Sequence, residues 1–283
     1  MNQFPQRQSG FTLTELAIVL FIVSLLIGGM LVPLSAQMEV RGRQETERAL
    51  ANIRDALTGF AVVNGRLPCP APATLASTTT GVGLEATTAV AGTTSTTGPC
   101  GCTSATSGVA AAGGAACDDT SPGVVTGALP WATLGLPEAD FWGNRYTYQV
   151  TTYFGRVASN QTVFGGSCAP TSNPSAAAFA LCTTGGITVN SAVTSGTVVA
   201  TGVPALVLSH GKNGYGAYQQ QAGTQNSTPA DGSDPTENAR LADQRENSDA
   251  DATYISSGAI DDHVVWVPGG ILMGRMLSAG KLP

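Results

Sequence analysis

From Leu16 to Met38 the chain carries no charged side chain, and the residue that opens this run, Glu15, is an acid. The run is rich in Leu, Ile and Val. It is long enough for a helix of about 20 residues, the length that crosses a bilayer. Any fold must therefore give one long apolar helix a partner other than water. Ahead of it lies Met1–Gly10, a short polar leader with one Arg and no acid. A secretory signal places its small-residue cleavage site after the apolar core, whereas Gly10 precedes it. An ionised carboxylate on the apolar side of a bilayer costs on the order of a few kcal/mol unless it is paired. Two plainer readings stay open: a signal-peptidase site in Leu34–Ala36, or an uncleaved transmembrane anchor.

The helix is expected to continue. Pro33 is placed to bend it. Glu39, Arg41, Arg43, Glu45, Glu47 and Arg48 mix both signs, as a solvated face does. Leu50, Ile53, Leu57 and Phe60 recur at three- and four-residue intervals and form one apolar stripe. Asn64-Gly65 stops the helix, and Pro68 prevents its continuation. Such a helix, from Phe11 to Val63, runs roughly 80 Å at 1.5 Å per residue. Residues 11–38 read as a transmembrane or filament-core segment, 39–65 as an amphipathic one, and 66–283 as a β-rich head.

Within the head, 71–127 is dominated by Thr, Ala, Gly and Ser without periodicity and reads as a surface insertion. Residues 222–251 read as a solvated acidic loop. Strands are expected within Arg145–Phe154, Val203–Leu208 and His263–Val267. The architecture is thus α+β, a long N-terminal helix packed on an antiparallel sheet. Six cysteines without a C-x-x-C pair point to disulfides and an oxidising compartment. Cys168 with Cys182 brackets one small loop. Cys69, at the entrance of the insertion, pairs with Cys100, Cys102 or Cys117, and Cys117 is the partner favoured.

Charged residues make up 11% of the chain and the net charge is −6. No basic stripe exists to neutralise phosphates, so nucleic acid is not an expected partner. The two histidines, His210 and His263, lie far apart in sequence. Gly165–Ala169 lacks the closing glycine of a nucleophile elbow, and nothing matches a P-loop or a dinucleotide fingerprint. No enzymatic activity, catalytic residue or cofactor is expected.

Gly10-Phe11-Thr12-Leu13-Thr14-Glu15-Leu16, followed by the apolar run, resembles the cleavage and methylation signal of type IV prepilins and of the pseudopilins of type II secretion. The resemblance implies cleavage between Gly10 and Phe11 and N-methylation of Phe11 by a prepilin peptidase/methyltransferase. It also implies that Glu15 is the acid of the family. In a filament, Glu15 is placed to neutralise the Phe11 amine of a neighbouring subunit; the plainer role is to cap its own helix N-terminus.

Asp140-Phe-Trp-Gly-Asn-Arg-Tyr-Thr-Tyr148 is similar to a strand-and-turn signature of the major pseudopilins, with Phe141 and Arg145 where that pattern has prolines. Ser209–Gly214 and Asp261–Trp266 resemble two further segments of the same group. There the turn builds a calcium site; here Asn213 replaces the acid and Lys212 adds a positive charge. Asp231, Asp234, Asp249 and Asp251 are the substitute ligands for a calcium ion, against the plainer reading of a solvated loop.

The function implied is a structural subunit of a type IV pilus or a type II secretion pseudopilus, a minor one because the head carries large insertions. Its partners would be other pilins or pseudopilins. It would sit first in the bacterial inner membrane, single-pass with the head in the periplasm, and then in the filament. The alternative is a membrane-anchored or exported periplasmic protein whose head binds a ligand or catalyses a reaction.

Overall fold

The computed structural model describes residues 12–86, 100, 110–111, 123–155, 162–165, 168–172, 177–194, 196–221, 223–228, 242–248 and 251–282. Side chains are described in these outside 28–36, 110–111, 162–165 and 168–172. The chain forms two compact units, Met1–Gln44 and Glu45–Pro283.

One helix, α1 (Leu13–Asn64), supplies both units. It begins at Thr12, whose hydroxyl oxygen accepts the Glu15 backbone N–H at 3.3 Å while its carbonyl accepts that of Leu16 at 3.1 Å. Thr-Leu-Thr-Glu has the spacing of a capping box. Helical geometry continues through Pro33 to Asn64. The stop is as expected: Gly65 takes φ 74° and returns its N–H to the Ala61 carbonyl at 2.8 Å.

The buried stripe of α1 is Leu50, Ile53, Leu57 and Ala61. Ala61 takes the place expected of Phe60, which is half-buried beneath the Arg66 guanidinium at 5.4 Å. The stripe packs on a five-stranded antiparallel sheet in the order β1 (Ala110–Ala111), β2 (Val124–Ala128), β3 (Thr147–Thr151), β8 (Ala205–Ser209) and β10 (His263–Val267). Strand alternation splits the apolar residues cleanly. Val125, Tyr148, Val150, Ala205, Val207 and Val267 face the helix side. Val124, Leu206 and Leu208 face the other side, against Ile187, Val189 and Tyr254 of a second sheet. That sheet has the order β7 (Val198–Val203), β6 (Ile187–Asn190), β9 (Thr253–Ile255), and β6 runs parallel to β9. Strand β8 is buried along its whole length, which explains why it reads as an unbroken apolar run.

Short helices α2 (Trp131–Leu134) and α3 (Thr152–Gly155) flank β3, and β4 (Thr162–Gly165) pairs with β5 (Cys168–Ser172). The chain closes with α4 (Gly269–Ser278), which buries Leu272, Met273 and Met276 on the helix side.

Two expectations are corrected. The stretch 71–127 is not all surface insertion: β2 begins within it at Val124, and Ala71, Ala73 and Ala86 are buried. Among the described residues of the stretch, Ala71 and Ala73 pack with Trp131, Ala86 joins the main core and Val124 and Val125 lie on β2, a placement that a Thr- and Gly-rich composition hides. The cysteine paired with Cys69 is Cys100, with Cα atoms 5.1 Å apart, rather than Cys117. Cys182 is also disulfide-bonded. Cys102, Cys117 and the Cys168 side chain lie outside the described residues, so the Cys168–Cys182 pairing does too.

The Cys69–Cys100 bridge closes a 31-residue separation, worth about 3–4 kcal/mol in a chain-entropy account. It holds Cys100 at φ 59°, a left-handed conformation that costs a non-glycine residue about 1 kcal/mol or more. Both sulfurs sit 3.3 Å from the Gly155 carbonyl oxygen. A Cβ on Gly155 would lie 2.7 Å from the Cys100 sulfur. Gly155→Ala is therefore expected to lower the urea-unfolding free energy by about 1–3 kcal/mol through overpacking. The loss should fall to less than half of that in a Cys69→Ala/Cys100→Ala background, where the sulfur is gone. An equal loss in both backgrounds would show that the bridge does not set the requirement for glycine.

Candidate functional site

The three head segments that resemble pseudopilin signatures, distant in sequence, meet at one corner. Asp140 folds its own turn: Oδ1 accepts the backbone N–H groups of Trp142 at 3.0 Å and Asn144 at 2.9 Å, an Asx turn. Its Oδ2 accepts the Ser209 hydroxyl at 2.7 Å, which ties the turn to the end of β8. Asn144 Nδ2 donates to the Gly211 carbonyl at 3.0 Å, and Thr147 Oγ1 meets His210 Nε2 at 2.8 Å. Gly211, at φ 60°, lets the turn press on the third segment. A Cβ there would stand 2.2 Å from the Asp261 carbonyl oxygen.

Asp261 is the hub of that third segment. Its Oδ2 accepts the Asn213 backbone N–H at 2.8 Å. Its Oδ1 accepts Asn213 Nδ2 at 2.5 Å and Gln244 Nε2 at 2.8 Å. The Asn213 amide cannot be turned over, because its Oδ1 accepts the Tyr215 N–H at 3.0 Å. Next to it, buried Asp262 accepts Asn247 Nδ2 at 2.8 Å, and Asn247 Oδ1 accepts the Ile255 N–H at 2.7 Å. Ser248 closes back on the Gln244 carbonyl at 2.7 Å.

Residues 242–248 thus overturn the reading of 222–251 as a solvated loop throughout. Asp243, Gln244, Asn247 and Ser248 are buried because their side chains bond the Asp261–Asp262 pair and nearby backbone. Asp231, Asp234 and Asp249 lie outside the described residues. Asp251 spends Oδ1 on the Thr253 N–H at 2.5 Å, and its carbonyl accepts Gln149 Nε2. Among the described residues, no group of three or more His, Cys, Asp or Glu is placed to hold a metal ion. At Asp261 the donor set does not fit a hard cation, because N–H groups already meet both carboxylate oxygens.

Arg145, which stands where the resembled pattern has a proline, is 1% exposed. Its Nε and Nη2 meet Glu138 Oε1 at 2.9 and 2.7 Å, and Nη1 donates to the carbonyls of Ala73 and Leu75 at 2.8 and 2.6 Å. Nη2 also reaches the Gln220 carbonyl at 3.1 Å, and the cation sits 5.0 Å from the Trp131 ring. This side chain fastens three loops to the turn at once, a role the sequence did not signal. Gln244 and Asn247 were missed as well, since amides in a polar stretch leave no periodic trace, whereas Asp261 opens a segment that the resemblance had already marked. Trp131 and Tyr146 fill the core. Half-buried Trp142 stacks on His263 at 6.3 Å, and His263 Nδ1 lies 4.0 Å from Glu47 Oε1.

Burial pushes the Asp262 carboxyl up to about 7, the Asn247 hydrogen bond opposing and the Asp261 charge reinforcing it. Asp140 is raised for the same first reason. Burial pulls His210 down to about 4. The raised Asp262 contributes stability that is fully present below its ordinary 3.8 and lost as pH rises through about 7. The lowered His210 contributes stability present above its ordinary 6.5 and lost as pH falls through about 4. Asp262 is worth roughly 4 kcal/mol and His210 roughly 3 kcal/mol across their windows, and over most of that range they oppose. Asp262→Asn is expected to remove the first and leave the second. Urea midpoints measured from pH 7.5 to pH 4 should then fall more steeply on acidification than in the wild type.

At the other end of the chain, Gly10 and Phe11 lie outside the described residues. Glu15 lies in the first turn of α1, and its own N–H is capped by Thr12. The large apolar side chains from Leu16 to Ile27 are each 42–66% exposed. Among the described residues no helix is long and apolar enough to cross a membrane; side chains 28–36, inside the apolar run, fall outside that description. No curated protein and no solved structure matches the chain. Residues 5–31 match the family model described as the prokaryotic N-terminal methylation motif, and the chain therefore carries the prepilin signal of type IV pilins and pseudopilins.

Proposed function

We propose that the protein is a structural, non-enzymatic subunit of a type IV pilus or type II secretion pseudopilus, a minor one. On this reading it is held in the inner membrane with its head in the periplasm until it is drawn into a filament. The observation that carries the reading is the methylation motif at 5–31 on a helix whose large side chains from Leu16 to Ile27 stand exposed. Leaving them in water is unfavourable by on the order of 10 kcal/mol or more, so they need lipid or the same helices of other subunits. Prepilin peptidase cutting after Gly10 keeps this segment on the mature protein and creates an ammonium at Phe11. Among the described residues the Glu15 carboxylate has no hydrogen-bond partner, which leaves it to meet that ammonium on a neighbouring subunit.

Mass spectrometry of the mature protein is expected to find methylated Phe11 as the first residue. Gly10→Glu is expected to stay uncleaved and retained in the membrane. Glu15→Val should be cleaved and inserted yet enter sheared filaments poorly, since a buried charge that loses its partner costs roughly 3–5 kcal/mol per subunit. Normal incorporation of Glu15→Val would leave the carboxylate with no more than a capping role. A mature chain beginning at Gln37, or an intact Met1, would instead favour an exported or anchored protein whose head acts alone.

The head needs no calcium on this reading, since Asn213 and Gln244 supply the positive ends that a cation would supply to Asp261. Thermal midpoints are expected to agree within about 1 °C in millimolar calcium and in EDTA. A rise of several degrees with calcium would put a bound ion back in the head.

A further inference from the structure

Strand β3 distinguishes the two ends of the head. Past its last residue, Thr151, the Phe154 carbonyl accepts the Leu67 N–H at 2.7 Å, just after α1 stops. At the opposite end of the sheet, Glu47, close to the first head residue Glu45, faces His263, where β10 begins. Helix α1 therefore enters the head at the end that carries the Asp140 turn. Ala139 bridges Arg145, so residues 140–144 form the tip of a hairpin that prolongs β3 backwards past the sheet. On this tip Phe141 is 41% exposed and meets Trp142 edge-on at 5.8 Å, and Trp142 stacks on His263. The turn itself is folded by the Asp140 carboxylate, so nothing within the head requires an exposed phenyl ring at its tip.

We propose that Phe141 and Trp142 seat this end of the head in the lipid interface of the bilayer that holds the apolar segment of α1. This rests on the reading of the chain as a membrane-held subunit. Met38, the last residue of the uncharged run, and Glu47 lie on one helix, about 14 Å apart along it. The headgroup layer on one side of a bilayer fills about 5–8 Å of that length. The rings, running from His263 through Trp142 to Phe141, have the reach to cover the rest. Tryptophan is favoured at this level because its ring is apolar while its N–H stays hydrated, and Phe141, which has no polar group, sits deeper. Charges at this end carry both signs, Glu47 and Asp261 beside exposed Lys212. The rings rather than net charge therefore make the contact, and it does not depend on anionic lipid or on low salt. Seated in this way, the head cannot turn freely about α1 while the subunit awaits assembly.

The test uses the full-length chain reconstituted in phosphatidylcholine vesicles, either plain or brominated in the upper acyl chain, with tryptophan emission as the readout. Bromine quenches only rings that touch the lipid, and Trp131 is buried. Brominated lipid is expected to quench part of the wild-type emission. Trp142→Phe keeps an aromatic ring on His263 but removes the reporter, and should lose about half or more of that quenching. Phe141→Ser alters an exposed position, so its thermal midpoint should stay within about 2 °C of the wild type. It retains Trp142, yet its quenching should fall as well. Equal quenching in the wild type and Trp142→Phe, or quenching abolished by high salt, overturns the proposal. Flotation of the same vesicles separates the two failures. A chain that floats without quenching at Trp142 sinks the ring contact alone, and a chain that stays out of the vesicles sinks the membrane-held reading and the ring contact with it.

Discussion

Leu50, Ile53, Leu57 and Ala61 lie on one side of a helix, and the face they meet is built from every second residue of β2, β3, β8 and β10. The arrangement of the head follows from that contact. The helix covers one face of the central sheet, so the opposite face must find another cover, and β6, β7 and β9 provide it. With both faces occupied, β8 is free to be apolar throughout, and α4 fits only on the helix side, next to α1. Residues from Leu13 to Ile27 belong to the same helix but present their apolar side chains outward. One secondary-structure element thus has two kinds of burial built into it, one satisfied within the chain and one not.

The polar corner obeys a different rule. Buried carboxylates at Asp140 and Asp262 and an acid at Asp261 have to be compensated, and here the compensation is made of neutral donors: backbone N–H groups, a serine hydroxyl and carboxamides. Neutral donors are weaker than a cation but geometrically strict. This is why the 209–216 turn, the 140–145 turn and residues 242–248 close on one another so tightly. Arg145 is the exception, a buried cation whose charge is shared among Glu138 and several carbonyl oxygens, so no single partner fixes it.

Features governed by local periodicity could be read from the sequence. The stripe of α1, its stop at Asn64-Gly65 and the strand His263–Val267 need only neighbours in sequence to specify them, and they stand where expected. The exchange of Ala61 for Phe60 shows the limit: both positions fit a helical stripe, and periodicity alone does not say that Phe60 instead lies beneath Arg66. The 242–248 region was misread for a related reason. Asp, Gln, Asn and Ser read as solvated until their partners, at Asp261, Asp262 and Ile255, are known. Cys69 had several possible partners in sequence, and the choice of Cys100 depends on where α3 places Gly155. The prepilin signal was legible because its spacing is a contiguous linear pattern and needs no tertiary contact to define it.

The disulfide has a mechanical meaning as well as a thermodynamic one. Cys69 lies four residues beyond Gly65, so any tension applied to the N-terminal end of α1 reaches the bridge as soon as the helix has slid off the sheet. Up to that point the load is carried by Leu50, Ile53, Leu57 and Ala61, which must leave the sheet together because they share one helix. Beyond it, the covalent link passes force directly from Cys69 to Cys100 and takes the closed loop out of the load path. A chain pulled by its helix would therefore yield a short, fixed length and then hold.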